Sequence, residues 1–245
     1  MNDRDKRIIQ SLIDFSCMTS SQLAKMHCSN NKKPKATINR IMKRLSDRNL
    51  VEVDKSNPFS DYIYFPADSN IKKNSQKIPH HLSIVDTFLE MNEYDPIKDY
   101  KVEEKLIGGD GFRPDLYCIW LEKPFCVEVQ RSLYTTSNLK SKIDAYSRYK
   151  ESGKWKGLNI DRFPNLLIVG KAVDFDKEDY DFPIEIVSSI DKLKPAIDHY
   201  KASKLERIRK EAKGVKPLRK ANMESEDLRT NVSKSNNGKI TFKLN

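Results

Sequence analysis

The sequence predicts a mixed α/β protein, α+β overall: a small helical module closed by a β-hairpin, then an αβββαβ unit, then a basic C-terminal helix and tail. Three observations carry this. Apolar residues recur at helical spacing in three segments before residue 50. Two short runs rich in β-branched and aromatic residues, Leu50-Val51-Glu52-Val53 and Tyr62-Ile63-Tyr64-Phe65, follow with a polar turn around Ser56-Asn57-Pro58 between them. Beyond residue 79 helical and alternating patterns succeed one another in the order α-β-β-β-α-β. The expected divisions are 1–68 for the first module, a polar linker over 69–78, 79–200 for the second domain, and 201–245 for the basic helix and a polar, disordered tail.

The N-terminal elements follow from local signals. Ile8, Ile9, Leu12, Ile13 and Phe15 give residues 4–15 one apolar face. Thr19-Ser20-Ser21-Gln22 has the form of a capping box and starts a short helix through Leu23, Ala24 and Met26. Pro34 suits the first turn of a third helix over about 35–47, with Ile38, Ile41, Met42 and Leu45 turned inward. Three helices and a hairpin in this order describe a winged helix-turn-helix. In such modules the later helix enters the DNA major groove. The outer face of the third helix carries Lys35, Thr37, Asn39, Arg40, Lys43 and Arg44. Asn39 and Arg40 are the candidates for base edges, and Lys35, Lys43 and Arg44 for phosphates. The competing reading is a basic three-helix bundle that binds protein or dimerises.

The charge balance agrees with a nucleic-acid partner. The 245 residues carry a formal net charge of +10, and one third are charged. No apolar run approaches the roughly 20 residues that cross a bilayer, so no membrane partner is expected. The N-terminal segment is amphipathic and lacks a signal-peptide core, which predicts a cytoplasmic protein. Cys17, Cys28, Cys118 and Cys126 form no C-x-x-C pair and read as buried free thiols.

The chemistry sits in the second domain. Arg113-Pro114-Asp115 opens a hairpin that ends Phe125-Cys126-Val127-Glu128-Val129-Gln130. Glu128 and Gln130 share one face of their strand, and Phe125, Val127 and Val129 form the other. With the turn at Glu122-Lys123, Asp115 lies opposite Gln130 and beside Glu128. Two carboxylates and an amide oxygen then converge, a donor set suited to Mg²⁺ or Mn²⁺ and to phosphodiester hydrolysis. An ordinary hairpin with polar residues at its solvent end is the alternative. Glu103, Glu104 and Asp110 are further candidate ligands, and only one of the adjacent pair Glu103 and Glu104 can face the site. His80 and His81 open the preceding helix, with phosphate orientation or helix capping and packing as their alternatives. Residues 136–149 read as a helix on which Lys142 and Tyr146 are neighbours. Lys142 either turns back to the hairpin or stays in water, whereas Tyr146 and Tyr149 read as packing residues. In the tail, Lys201, Lys204, Arg207, Lys210, Lys213, Lys216 and Arg219 recur every third residue, a row that would follow a phosphate backbone if helical.

Asp115, Glu128 and the αβββαβ order resemble the PD-(D/E)XK nuclease superfamily, with Gln130 where that motif usually has lysine. Some members relocate that lysine to the following helix, which makes Lys142 its counterpart. The whole layout, from Arg4 to Val187, is similar to the replication-relaxation family of plasmid and mobile-element proteins. The likeness rests on the winged helix, the helix from His80, Arg113-Pro114-Asp115, Val127-Glu128-Val129-Gln130-Arg131, and Lys142, Tyr146 and Tyr149. It implies a DNA-binding protein of a plasmid or mobile element acting in replication or its control, with double-stranded DNA as partner and a homodimer or replication proteins as further candidates. The alternative is an active Mg²⁺-dependent endonuclease or nickase in which Asp115, Glu128 and the Gln130 carbonyl hold the metal and Lys142 assists. An interaction protein that touches no DNA is the third reading.

Overall fold

The computed structural model describes residues 1–56, 60–106, 113–132, 135–171 and 179–212, and within them six α-helices and two sheets. Helix α1 (Asp3–Phe15) begins where the Asn2 side chain accepts from the Asp5 N–H at 2.9 Å. It buries Ile8, Leu12 and Phe15, but Ile13, expected on the same face, is more than half exposed. A two-residue strand, β1 (Met18–Thr19), follows. Helix α2 (Ser20–Cys28) starts with the full capping box: Thr19 Oγ1 accepts from Gln22 N–H, and Gln22 Oε1 accepts from Thr19 N–H. Helix α3 (Pro34–Ser46) has Pro34 in its first turn, where the missing N–H costs no hydrogen bond. It buries Ile38, Ile41, Met42 and Leu45, as the periodicity predicts. Strands β2 (Val51–Asp54) and β3 (Ile63–Pro66) pair antiparallel, and β1 pairs with the other edge of β3, giving the order β1-β3-β2.

Helix α4 (Ile78–Tyr94) leads into β4 (Lys98–Val102), β5 (Leu116–Trp120) and β6 (Lys123–Gln130). Helix α5 (Thr136–Glu151) connects to β7 (Asn165–Gly170), and β8 (Ile184–Val187) precedes α6 (Lys194–Ala212). The sheet order is β4-β5-β6-β7-β8, antiparallel through β6 and parallel from β6 to β8. Alternation along β5 and β6 sends their side chains to two separate cores. Leu116, Cys118, Trp120, Val127 and Val129 pack on α4 with Ile84, Val85 and Phe88. Tyr117 and Cys126 pack on α5 with Leu139, Ile143 and Tyr149. Cys118 and Cys126 therefore lie in different cores, and all four cysteines are buried free thiols.

The core does not stop at the expected linker. One apolar cluster runs from Ile8, Leu12 and Phe15 of α1 through Ile84 and Phe88 of α4 to the sheet. The Phe15 ring lies 5.1 Å from that of Phe88 and 5.8 Å from that of Tyr100. Gln22 Nε2 donates to the Leu82 carbonyl at 2.9 Å and to Asp86 at 2.7 Å, and Tyr100 Oη donates to Asp14 at 2.8 Å. Residues 69–77 turn along the surface between two parts that share an interior.

Other expectations meet a different outcome. The strand predicted over 100–107 is β4, shorter and earlier, because Glu103 takes a positive φ of 46° and leaves the ladder. The glycine-rich turn at 108–111, Asp110, and the tail residues Lys213, Lys216 and Arg219 lie outside the described residues. On α6 the basic row is engaged locally. Lys201 Nζ donates to the Tyr94 carbonyl, Lys204 pairs with Glu122 at 2.6 Å, and Lys210 pairs with Glu206 at 2.7 Å. No described helix is long and apolar enough to cross a membrane.

Candidate active site

The hairpin register differs from expectation, and the turn is the reason. Trp120 pairs with Lys123, so the two turn residues are Leu121 and Glu122, both at positive φ (51° and 60°). Two central residues with φ > 0 are the hairpin turn whose twist matches that of the flanking strands. Moving the turn by one residue shifts every partner by two. Leu116 pairs with Val127, which brings Asp115 level with Glu128, and Gln130 pairs with Gly170 of β7 instead of Asp115. A two-residue shift keeps every side chain on its predicted face. Gly170 belongs there for a steric reason: at its φ of 138° a Cβ would meet the Gln130 carbonyl oxygen at 2.1 Å.

Asp115 is fixed by both oxygens. Oδ2 accepts from the Val129 N–H at 2.7 Å, and Oδ1 lies 3.2 Å from His80 Nε2 at the start of α4. Burial raises the Asp115 pKa, but the His80 hydrogen bond, Lys142 and the Val129 N–H outweigh it, and the carboxyl ends below its ordinary value. Glu128 is only 2 % exposed and is gripped from one helix: Tyr146 Oη donates to Oε1 at 2.5 Å and Lys142 Nζ sits 2.5 Å from Oε2. Burial, reinforced by the Asp115 charge, pushes the Glu128 carboxyl up to about 7 against the pull of Lys142 and Tyr146.

Glu103 completes the outer side. Its N–H donates to the Asp115 carbonyl at 3.1 Å, and its Oε1 lies 3.7 Å from His80 Nε2. The His80 imidazole is raised above its ordinary value by the Asp115 hydrogen bond, against burial. Glu104 turns away and pairs with Lys101 at 2.7 Å. Gln130 is buried, and its Nε2 has no hydrogen-bond partner among the described residues. An orphaned buried amide costs about 1–3 kcal/mol. The donors assembled here, carboxylate oxygens with an imidazole, fit a divalent cation.

The surface of α3 is divided. Lys35, Asn39, Arg40 and Lys43 are exposed, and Thr37 is half-buried. Lys35 pairs with Asp61, and Lys43 with Asp47 at 3.1 Å. Arg44, expected on a phosphate, instead turns to Asp5, 1 % exposed, at 2.7 Å. It serves the interior of the module, because a buried carboxylate needs a charged partner.

Asp115 and Glu128 are therefore brought together as their sequence pattern suggests, Lys142 takes the first of its two expected orientations, and Gln130 lies two residues further along β6. Sequence reasoning undervalued His80 and Tyr146, whereas Glu103 was one of its candidate ligands. The signal for Tyr146 was present in its place four residues after Lys142, which puts both side chains on one helix face. Nothing local distinguishes His80 from His81: only the fold shows that the first meets Asp115 while the second is buried. No protein-family model, curated protein or solved structure matches the chain.

Proposed function

We propose that this is a DNA-binding protein of a plasmid or mobile element, acting in its replication or the control of it, whose central sheet is a metal-dependent DNA endonuclease domain of the PD-(D/E)XK kind. The observation that carries the reading is Lys142. It stands on α5, 2.5 Å from Glu128, and supplies from the helix the cation that Gln130 does not supply from the strand. An aspartate just before β5, a glutamate on β6 and a lysine on α5, brought together, would serve as the working parts of phosphodiester hydrolysis.

Asp115 would hold a Mg²⁺ or Mn²⁺ ion, with Glu128 and Gln130 beside it. Such an ion supplies an activated water and neutralises charge on the phosphate. Lys142 is placed to stabilise charge developing on the phosphate once it exchanges Glu128 for that oxygen. Tyr146 holds the carboxylate in orientation throughout. The N-terminal module, read as a winged helix, would present Asn39, Arg40, Lys43 and Lys35 to double-stranded DNA, with β2 and β3 as the wing.

Supercoiled plasmid incubated with the protein and Mg²⁺ or Mn²⁺ tests this. Nicking or linearisation is expected, abolished by chelation and by Glu128→Gln, and reduced by about 10²–10³ in Lys142→Ala. A second reading has its own support: the near-complete enclosure of Glu128 between Lys142 and Tyr146 suits a domain kept for its packing in a DNA-binding regulator. Intact plasmid together with undiminished gel retardation would decide for that regulator.

A further inference from the structure

We infer that His80, Glu103 and Asp115 form a binding site for one divalent transition-metal ion, with Mn²⁺ favoured over Mg²⁺. This deepens the nuclease reading, on which its functional meaning rests, but the site itself stands on geometry. Among the described residues it is the one group of His, Cys, Asp and Glu side chains spaced to hold an ion, with one ligand atom from each all within 4.8 Å of one another. Metal–ligand bonds of about 2.0–2.2 Å come close to spanning that separation, so a small turn of one side chain closes it.

The ligands are held before any ion arrives. Asp115 has one oxygen fixed by the Val129 N–H, which leaves Oδ1 directed at His80. Glu103 is fastened to the Asp115 carbonyl through its N–H, and its Oε1 lies 3.7 Å from His80 Nε2 on α4. His80 projects from the first turn of α4, whose place is set by the core beneath it. Asp115 is buried, but His80 and Glu103 are partly exposed, so the open coordination positions lie on their side, toward water or a phosphate.

A separate observation comes from His81. It is 4 % exposed, its Nδ1 has no hydrogen-bond partner among the described residues, and it points at Glu103 Oε2 from 3.5 Å. An imidazole behind a ligating carboxylate orients it, and His81 stands 3.5 Å behind Glu103 Oε2. The donor set then fixes the class of ion. Mg²⁺ takes oxygen ligands and keeps its waters, whereas an imidazole nitrogen suits transition metals. The inner carboxylate, Glu128, is turned toward α5 and engaged by Lys142 and Tyr146, so the outer three groups meet the ion first.

The test is Mn²⁺ binding to the full, chelator-stripped chain, followed by the electron paramagnetic resonance signal of free Mn²⁺, with Mg²⁺ as competitor and circular dichroism as the folding control. One bound Mn²⁺ per chain is expected, displaced by Mg²⁺ only at more than about tenfold excess. His80→Ala and Glu103→Gln should each weaken Mn²⁺ by at least about tenfold while both stay folded. Unchanged Mn²⁺ affinity in both variants, or displacement by equimolar Mg²⁺, overturns the assignment. So does an affinity lost in Glu128→Gln but kept in His80→Ala, since the ion would then sit on the inner carboxylate. The expected binding pattern without plasmid cleavage upholds the metal site and refutes the nuclease. Cleavage by His80→Ala at the parental rate in Mn²⁺ does the reverse.

Discussion

Glu128 is a carboxyl group that folding makes reluctant to ionise, and this has a consequence for stability. Its folded pKa is raised from 4.5 to about 7 by burial, so the stability associated with its proton is fully present below about pH 4.5 and is lost as pH rises through about 7. The amount is of order 3 kcal/mol for a group this buried. His80, also raised, adds a loss in the same direction above its ordinary value, while Asp115, lowered, acts only in the acid range below its own. Urea unfolding in chelator between pH 5 and pH 8 should therefore show declining stability, and Glu128→Gln should flatten most of that decline. A variant with the parental slope would mean that Lys142 keeps Glu128 ionised throughout. Much of this site was legible in the sequence. Asp115, Glu128 and Lys142 belong to a short pattern with a chemical rationale, and strand alternation left one of Glu103 and Glu104 as a ligand, which is Glu103. The roles of His80 and Tyr146 were not legible, because they depend on helices that meet the hairpin only after the chain has folded.

At the scale of elements, α3 separates two arginines that look alike in sequence. Arg40 stands in solvent, and Arg44 neutralises Asp5. Arg40→Ala with Lys43→Ala should weaken retention on duplex DNA and lower the slope of log affinity against log salt by about 1–2. Arg44→Ala should leave that slope alone and instead cost about 1–3 kcal/mol of folding stability through the stranded carboxylate. Equal effects of both changes on DNA would place the contact face elsewhere on the helix. Elements with local punctuation were read well from sequence: Pro34 at the start of α3 and the Thr19–Gln22 box before α2. The hairpin turn was misplaced by one residue because a buried Leu121 at positive φ carries none of the usual Gly or Asn marks. Strand β1 was missed because two residues show no period, and only β3 gives them a partner. The basic row on α6 was real as a pattern, but its meaning changed once Glu122 and the Tyr94 carbonyl lay within reach.

For the whole molecule, the decisive feature is the interior common to α1, α4 and the five-stranded sheet. Phe88 sits at its centre against Phe15 and Tyr100. Phe88→Ala should cost about 3–5 kcal/mol. It should lower a single unfolding transition in which the N-terminal helices and the central sheet melt together. Two transitions, with only one displaced, would show that the halves are independent. Composition suggested a linker at 69–78, since a polar segment looks the same whether it spans open solvent or runs over a packed seam. Without a hinge the molecule behaves as a ruler. The helix that would grip DNA and the carboxylates that would cut it keep one separation, so every cut should fall at a constant offset from the occupied sequence. Inserting about five base pairs between the two positions carries the target phosphate half a turn around the duplex, out of reach of a rigid arm. A flexible tether would follow it.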